Sequence, residues 1–146
     1  MEGGCLCGAI RYRADKLVSP ITHCHCSECQ KWHGAAFATW ANVEVSDFSW
    51  TVGEEKLGIY EHTTGWFRGF CTYCGSSLCI LPTRKHHGRI ISITLGTLDD
   101  PPDQKPENHI FYSEHAAWFE FEDSIPKMDR WWSPEHEFDE ILKKQP

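Results

Sequence analysis

His23-Cys24-His25-Cys26-Ser27-Glu28-Cys29 is the stretch on which the reading of this chain turns. Three cysteines fall within six residues, a C-x-C running on into a C-x-x-C. Such spacings let neighbouring thiolates converge on one metal ion from a single tight turn. Zinc takes sulfur ligands at about 2.3 Å in tetrahedral array; catalytic sites keep three protein ligands and an open position, structural sites close with a fourth. Spacing alone leaves both arrangements open: a substrate-accepting zinc on Cys24, Cys26 and Cys29, or a closed site whose fourth ligand comes from elsewhere.

Working outward, 146 residues suit a single domain, 1–146, large enough for its own core. Seven Trp and eight Phe predict an aromatic-rich interior or pocket. The net charge of -7 gives no basic stripe, so no nucleic-acid partner is expected. Met1-Glu2-Gly3-Gly4 has neither a basic region nor an apolar run, so no signal peptide is expected. No stretch approaches the ~20 apolar residues that cross a membrane. The eight cysteines are therefore expected in a reducing cytoplasm, where metal binding prevails over disulfides.

The patterning predicts a mainly β fold of short antiparallel strands. Ile10 and Tyr12 alternate with Arg11 and Arg13, and Phe48, Trp50 and Val52 with Asp47, Ser49 and Thr51. Gly53-Glu54-Glu55-Lys56 reads as a turn into a strand from Leu57 to Tyr60. Further strands are expected at Trp66 to Cys71, Ser77 to Leu81, Arg89 to Leu95, His109 to Tyr112 and Trp118 to Glu122. Asp99 to Pro106, with three prolines, reads as a loop. Two helices are expected. Ser27 followed by Gln30 reads as a capping box opening a short helix to Trp32 that ends at Gly34. That places Cys29 in the first turn, where the helix dipole favours a thiolate. The second is a C-terminal docking helix, Pro134 to Lys144, with Ser133 as its cap.

Two cysteine pairs flank the trio: Cys5-Leu6-Cys7 near the start and Cys71-Thr72-Tyr73-Cys74-Gly75 in mid-chain. A C-x-x-C-G hairpin is a zinc knuckle, its glycine supplying the positive φ that turns the backbone toward the metal. Neither pair is complete alone. Together, Cys5, Cys7, Cys71 and Cys74 make a closed four-thiolate structural site, and the pairs plus the trio point to two zinc ions per chain.

These motifs resemble, in order, those of the glutathione-dependent formaldehyde-activating family, which also includes centromere protein V. The resemblance rests on Gly4-Cys5-Leu6-Cys7-Gly8 with Tyr12, and on Cys24 to Cys29 with Gly34-Ala35-Ala36-Phe37. It continues through Arg68-Gly69-Phe70-Cys71-Thr72-Tyr73-Cys74-Gly75-Ser76, Gly96 to Pro101, His109-Ile110, Trp118 and Ile125-Pro126. It spans about residues 3–126 and leaves 127–146 as a C-terminal extension. It implies a β-tent zinc-binding fold, a structural zinc on Cys5, Cys7, Cys71 and Cys74, and a catalytic zinc on Cys24, Cys26 and Cys29. The activity it implies is addition of glutathione to formaldehyde, a carbon–sulfur lyase reaction.

An open zinc position can bind a substrate thiol as thiolate, well below its ordinary pKa of about 8.5. The expected partners are thus a small-molecule thiol, glutathione or similar, and a small aldehyde. His25 and Glu28, inside the motif, are candidates for proton transfer, set against the ordinary fate of such side chains as surface or hydrogen-bonded core groups. His33 closes the motif. Arg68 is a candidate for holding a carboxylate of the thiol, set against a solvated strand arginine. Cys79, in an apolar strand, reads as a buried small hydrophobe and is the outside candidate for a fourth ligand on the trio. The competing reading of the whole is a non-catalytic, zinc-stabilised binding module.

Overall fold

The alternating segments become strands where tight turns fold the chain back on itself. The computed structural model describes residues 1–62, 65–82 and 88–130. Within them lie β1 (Glu2–Gly4), β2 (Arg11–Ala14), β3 (Val18–Cys24), α1 (Ser27–His33), β4 (Ala38–Glu44), β5 (Phe48–Val52), β6 (Leu57–Glu61), β7 (Phe67–Cys71), β8 (Ser77–Leu81), β9 (Ile90–Thr94) and β10 (Asn108–Ile110). The fold is mainly β, as expected. The chain divides into two compact units: Met1–Ser19 with Ala41–Asp103, and Pro20–Trp40 with the described residues from Gln104 onward. The expected helix at Pro134 to Lys144 lies outside the described residues. No helix among those described is long and apolar enough to cross a membrane.

In the first unit, β1, β2 and β5 form an antiparallel three-stranded sheet. The alternation of Phe48 and Trp50 puts both rings against Tyr12, at 5.4 and 6.1 Å between centroids. Tyr12 is buried, and its hydroxyl meets Thr97 Oγ1 at 2.7 Å. Without that partner a buried hydroxyl costs about 1–3 kcal/mol. The strands β9-β8-β7-β6 follow one another antiparallel in a second sheet. Ile91 and Ile93 of β9, with Leu78 and Cys79 of β8, supply buried apolar side chains there.

In the second unit, β3 lies between β10 and β4. β10 pairs with β3 in parallel, Ile110 opposite Cys24 and His109 opposite His23, which departs from the all-antiparallel expectation. The expected strand from His109 to Tyr112 stops at Ile110, because Phe111 takes a left-handed conformation (φ 54°) and opens a 3-10 turn. Trp118 to Glu122 is not a strand. The Phe119 N–H closes a turn onto the Ala116 carbonyl at 2.9 Å, and both Trp118 and Phe119 are exposed. Their aromatic content resembled a strand, but among the described residues no strand pairs with them. The capping box is also corrected. Ser27 is the first helical residue, and the cap is Cys26, whose sulfur accepts the Cys29 N–H.

The turn at Gly53 shows how tightly the first unit is drawn. Gly53 has φ 71°, and a Cβ there would stand 1.9 Å from the Ala9 carbonyl oxygen. Gly53→Ala is therefore expected to destabilise the chain by more than about 1 kcal/mol. Chemical denaturation checks this; an unchanged midpoint would show that Gly53 and Ala9 are not held together as described.

Candidate metal centres

The four-thiol centre is built from two turns of like design. After β1, the Gly8 N–H donates to the Cys5 carbonyl at 3.0 Å, with Gly8 at φ 74°. After β7, the Gly75 N–H donates to the Cys71 carbonyl at 2.8 Å, with Gly75 at φ 76°. The positive φ that only glycine adopts freely turns each pair of thiols the same way. The Leu6 N–H donates to Ser76 Oγ at 3.0 Å and ties one turn to the other. Cys5, Cys7, Cys71 and Cys74 then bring their sulfurs within 4.8 Å of one another.

The separations fit a metal. Cys5 and Cys7 sulfurs are 3.5 Å apart, and those of Cys7 and Cys71 are 3.9 Å apart. Sulfurs at the corners of a tetrahedron with 2.3 Å bonds lie about 3.8 Å apart. Donors around the cluster favour thiolates: the Ile10 N–H reaches Cys5 Sγ at 3.2 Å, and Ser76 Oγ is 3.2 Å from Cys74 Sγ. The Ser76 hydroxyl and N–H hold Cys74 down at about 5. Burial opposes ionisation of Cys5, yet the Ile10 N–H and neighbouring thiols keep it below its ordinary value. Cys7 goes the other way: the Ala9 N–H favours its thiolate, but burial and the crowding thiols push it up to about 11. It is the member that most needs a cation.

The trio occupies the second unit, where β3 ends and α1 begins. Cys24, Cys26 and Cys29 also lie within 4.8 Å of one another, with Cys24 and Cys26 sulfurs 3.5 Å apart. Cys26 caps α1 through its sulfur, accepting the Cys29 N–H at 3.3 Å. Gly34, left-handed at φ 59°, ends the helix as expected. The Gln30 amide donates to the His25 carbonyl at 2.6 Å and to the Glu114 carbonyl at 2.8 Å. The Glu114 carboxylate accepts the Ser27 N–H at 2.9 Å. These side chains pin the loop that carries the thiols. Contacts with Cys26 and Cys29, then burial, hold Cys24 well above its ordinary pKa. Cys26 is also raised: contact with Cys24 favours its thiolate, but Cys29 and burial outweigh it. Among the described residues, no further Cys, His, Asp or Glu joins this set.

The other sequence candidates fall as follows. His25 is buried and does not join the trio; its Nε2 meets His109 Nδ1 at 2.8 Å. Burial, with His109 close by, lowers its pKa to about 4. Glu28 stands half-buried in the first turn of α1. The His33 ring packs against Trp40 at 5.2 Å. Arg68 lies on β7 of the first unit and is buried, 4% exposed, so it is not a solvated strand arginine. Cys79 is a buried member of β8 outside both thiol sets. Burial pushes its thiol up to about 12, as its reading as a small hydrophobe expects. The sequence reading missed Glu114 and Asp123, and it named Gln30 only as a capping-box residue and His109 only as part of a motif; the contacts of all four depend on partners five to eighty-seven positions away.

A mainly β protein with one four-thiol and one three-thiol cluster, both of metal-ligand geometry, is a cysteine-based metal-binding protein. The chain belongs to the glutathione-dependent formaldehyde-activating enzyme family, whose model matches residues 1–114. It is similar to an uncharacterized lyase of Schizosaccharomyces pombe, 31% identical over 77 residues, covering 53% of this chain and 54% of that one. The chain thus matches about half the length of this curated relative. A Rhodobacter sphaeroides protein of known crystal structure shares the fold, with a TM-score of 0.58 at 24% identity over 70% of this chain and 92% of that one.

The thiol environments separate the two centres by pH. Metal binding requires deprotonated ligands, so protons compete as pH falls. A thiol with a raised pKa is recaptured by its proton at higher pH. The trio, with Cys24 and Cys26 raised and one ligand fewer, is expected to release its metal first on acidification. In the four-thiol centre Cys7 is raised as well, to about 11, but Cys5 and Cys74 are lowered and a fourth thiol shares the ion, which together favour retention. Metal content after equilibration across pH should fall in two steps; loss in a single step would contradict the difference.

Proposed function

We propose that this chain is a zinc-dependent enzyme of the carbon–sulfur lyase type, joining a thiol to formaldehyde or a related small aldehyde, or running the reverse. The thiol is glutathione or a close equivalent. The observation that carries this reading is the unequal ligand count: four thiols converge in one unit and three in the other. The family membership and the lyase-named relative support the reaction class.

In this reading Cys5, Cys7, Cys71 and Cys74 hold a structural zinc, and Cys24, Cys26 and Cys29 hold the zinc of the reaction. Bound there, zinc would supply a seat that stabilises a substrate thiol as thiolate; with three thiolates already donating, this outweighs polarisation of the aldehyde oxygen. The chain's own residues do the rest. Cys26 fixes α1 to the site through its sulfur cap, and Gln30 holds the carbonyl of His25. Glu28, between Cys26 and Cys29 in sequence, is the proposed proton carrier, with His25 supporting the loop through its ring. Addition forms a carbon–sulfur bond, and the thiol proton ends on the aldehyde oxygen as hydroxyl, so no external oxidant or reductant is needed. The chain would work as one functional unit in the cytoplasm on small molecules, without nucleic acid.

Formaldehyde consumption measured with glutathione and a panel of other thiols tests the reading. The expected result is thiol-dependent acceleration over the uncatalysed reaction. Cys26→Ser should abolish it while leaving the first unit folded with one metal bound, any loss of circular dichroism being confined to the helical signal of α1. Cys74→Ser should instead unfold the first unit. No acceleration with any thiol would favour a non-catalytic binding module.

A further inference from the structure

On the face of β3 opposite the trio lies a polar chain that this chemistry does not use. The strand β3 ends at Cys24, and the backbone beyond it turns His25 to the side that His23 occupies. The contacts agree: His23 and His25 both pack on Phe37, at 4.9 and 5.6 Å, and on Phe121, at 5.8 and 5.4 Å. His25 Nε2 bonds His109 Nδ1 at 2.8 Å, and His109 Nε2 bonds the Asp123 carboxylate at 3.1 Å. His25 and His109 are 1% and 0% exposed, whereas the Asp123 side chain is 33% exposed. The chain therefore runs from solvent to the residue between two of the three thiols.

Hydrogen-bond logic fixes its direction. A carboxylate only accepts, so His109 must carry a hydrogen on Nε2. In a neutral imidazole its Nδ1 is then the acceptor, and His25 must donate from Nε2. The backbone of His25 is held as well: its N–H donates to the Ile110 carbonyl at 3.0 Å, and its carbonyl accepts from Gln30 at 2.6 Å. Three anchors on one residue set the span of the C-x-C unit around it.

We propose that Asp123 is a positioning residue for the trio: acting through His109, it locks His25 as its Nε2-protonated tautomer and so fixes the Cys24–Cys26 span. The inference rests on the reading of the trio as a metal site, and not on which thiol or aldehyde is used. Asp123 also accepts from Lys127 Nζ at 3.0 Å and from the Ile125 N–H at 3.2 Å. Lys127 therefore provides a control that disturbs the same loop without removing the carboxylate.

Two readouts on the full chain test it. Long-range nitrogen–proton NMR of the zinc-loaded protein reports the histidine tautomers. In the unaltered chain His25 and His109 are both expected to carry hydrogen on Nε2 alone. Asp123→Asn, whose amide donates as readily as it accepts, should remove the bias and populate the Nδ1-protonated form of His25. Cobalt titrated into metal-free protein should then bind its second equivalent roughly tenfold more weakly, the first being unaffected. Asp123→Glu should restore both readouts, and Lys127→Met should leave both as they are. An Nδ1-protonated His25 or a doubly protonated His109 in the unaltered chain would overturn the proposal. So would Lys127→Met reproducing the effect of Asp123→Asn. If the unaltered chain takes up a single cobalt, the metal reading of the trio fails, and the tautomer measurement still decides the role of Asp123.

Discussion

The convergence of Cys5, Cys7, Cys71 and Cys74 is the constraint on which the first unit depends. Cys7 and Cys71 are 64 residues apart in sequence, and their sulfurs meet at 3.9 Å. Closing a loop of that length costs about 4 kcal/mol in chain entropy. The strands that do the closing are three to five residues long, and several of their apolar side chains, such as Val52, Ile59 and Tyr60, stay exposed. Burial of side chains such as Tyr12, Leu78 and Ile93 must offset that cost together with the ordering of the strands themselves. Four thiols at these separations also repel once ionised. A cation resolves both difficulties at once: a zinc ion in such a site would contribute about 10–16 kcal/mol of folding free energy, well above the closure term.

The two centres differ in what surrounds the sulfurs. In the four-thiol cluster, amide and hydroxyl donors from Ile10 and Ser76 point at Cys5 and Cys74. That arrangement favours thiolate without a substrate and suits a ligand set that never changes. In the trio, Cys24 is buried and raised, and the donor aimed at Cys26 is the N–H of Cys29, another member of the set. More of the stabilisation of these thiolates must then come from whatever cation they bind. The unequal ligand count and the unequal surroundings point the same way.

How much of this was legible follows from how local each signal is. Cysteine spacing is local, because a turn with glycine at φ above 70° carries both thiols of a pair. Both sets were therefore readable before any strand was placed. The alternation of Phe48 and Trp50 was readable for the same reason. The strands β1, β3 and β4 were not, since β1 is glycine-rich, β3 contains Pro20, and β4 has alanine at two buried positions, Ala38 and Ala41. β-propensity says little about such residues. Their strand state comes from pairing instead, β1 with the adjacent β2 and β3 with the distant β10. Trp118 to Glu122 failed in the opposite sense, with aromatic residues in a strand-like pattern and no pairing strand among the described residues. His109 was readable as a strand and motif residue but not as a partner of His25, because that contact reaches across 84 residues.

The misplaced cap of α1 bears on the trio itself. A seven-residue helix is too short to be stable by itself, so α1 depends on its ends. Its C-terminal end has Gly34, and a serine cap at the other end would add about 1 kcal/mol without any metal. The chain instead uses the sulfur of Cys26, while Glu114 takes the Ser27 N–H from outside. A neutral thiol is a weak acceptor, whereas a thiolate accepts strongly. In the metal-free state Cys26 is raised above its ordinary pKa and thus disposed to stay protonated. A bound cation would displace that proton and strengthen the cap that holds Cys29 in the helix's first turn. Metal binding at the trio would thereby add to the stability of α1, and the helix would in turn hold Cys29 in place for the ion.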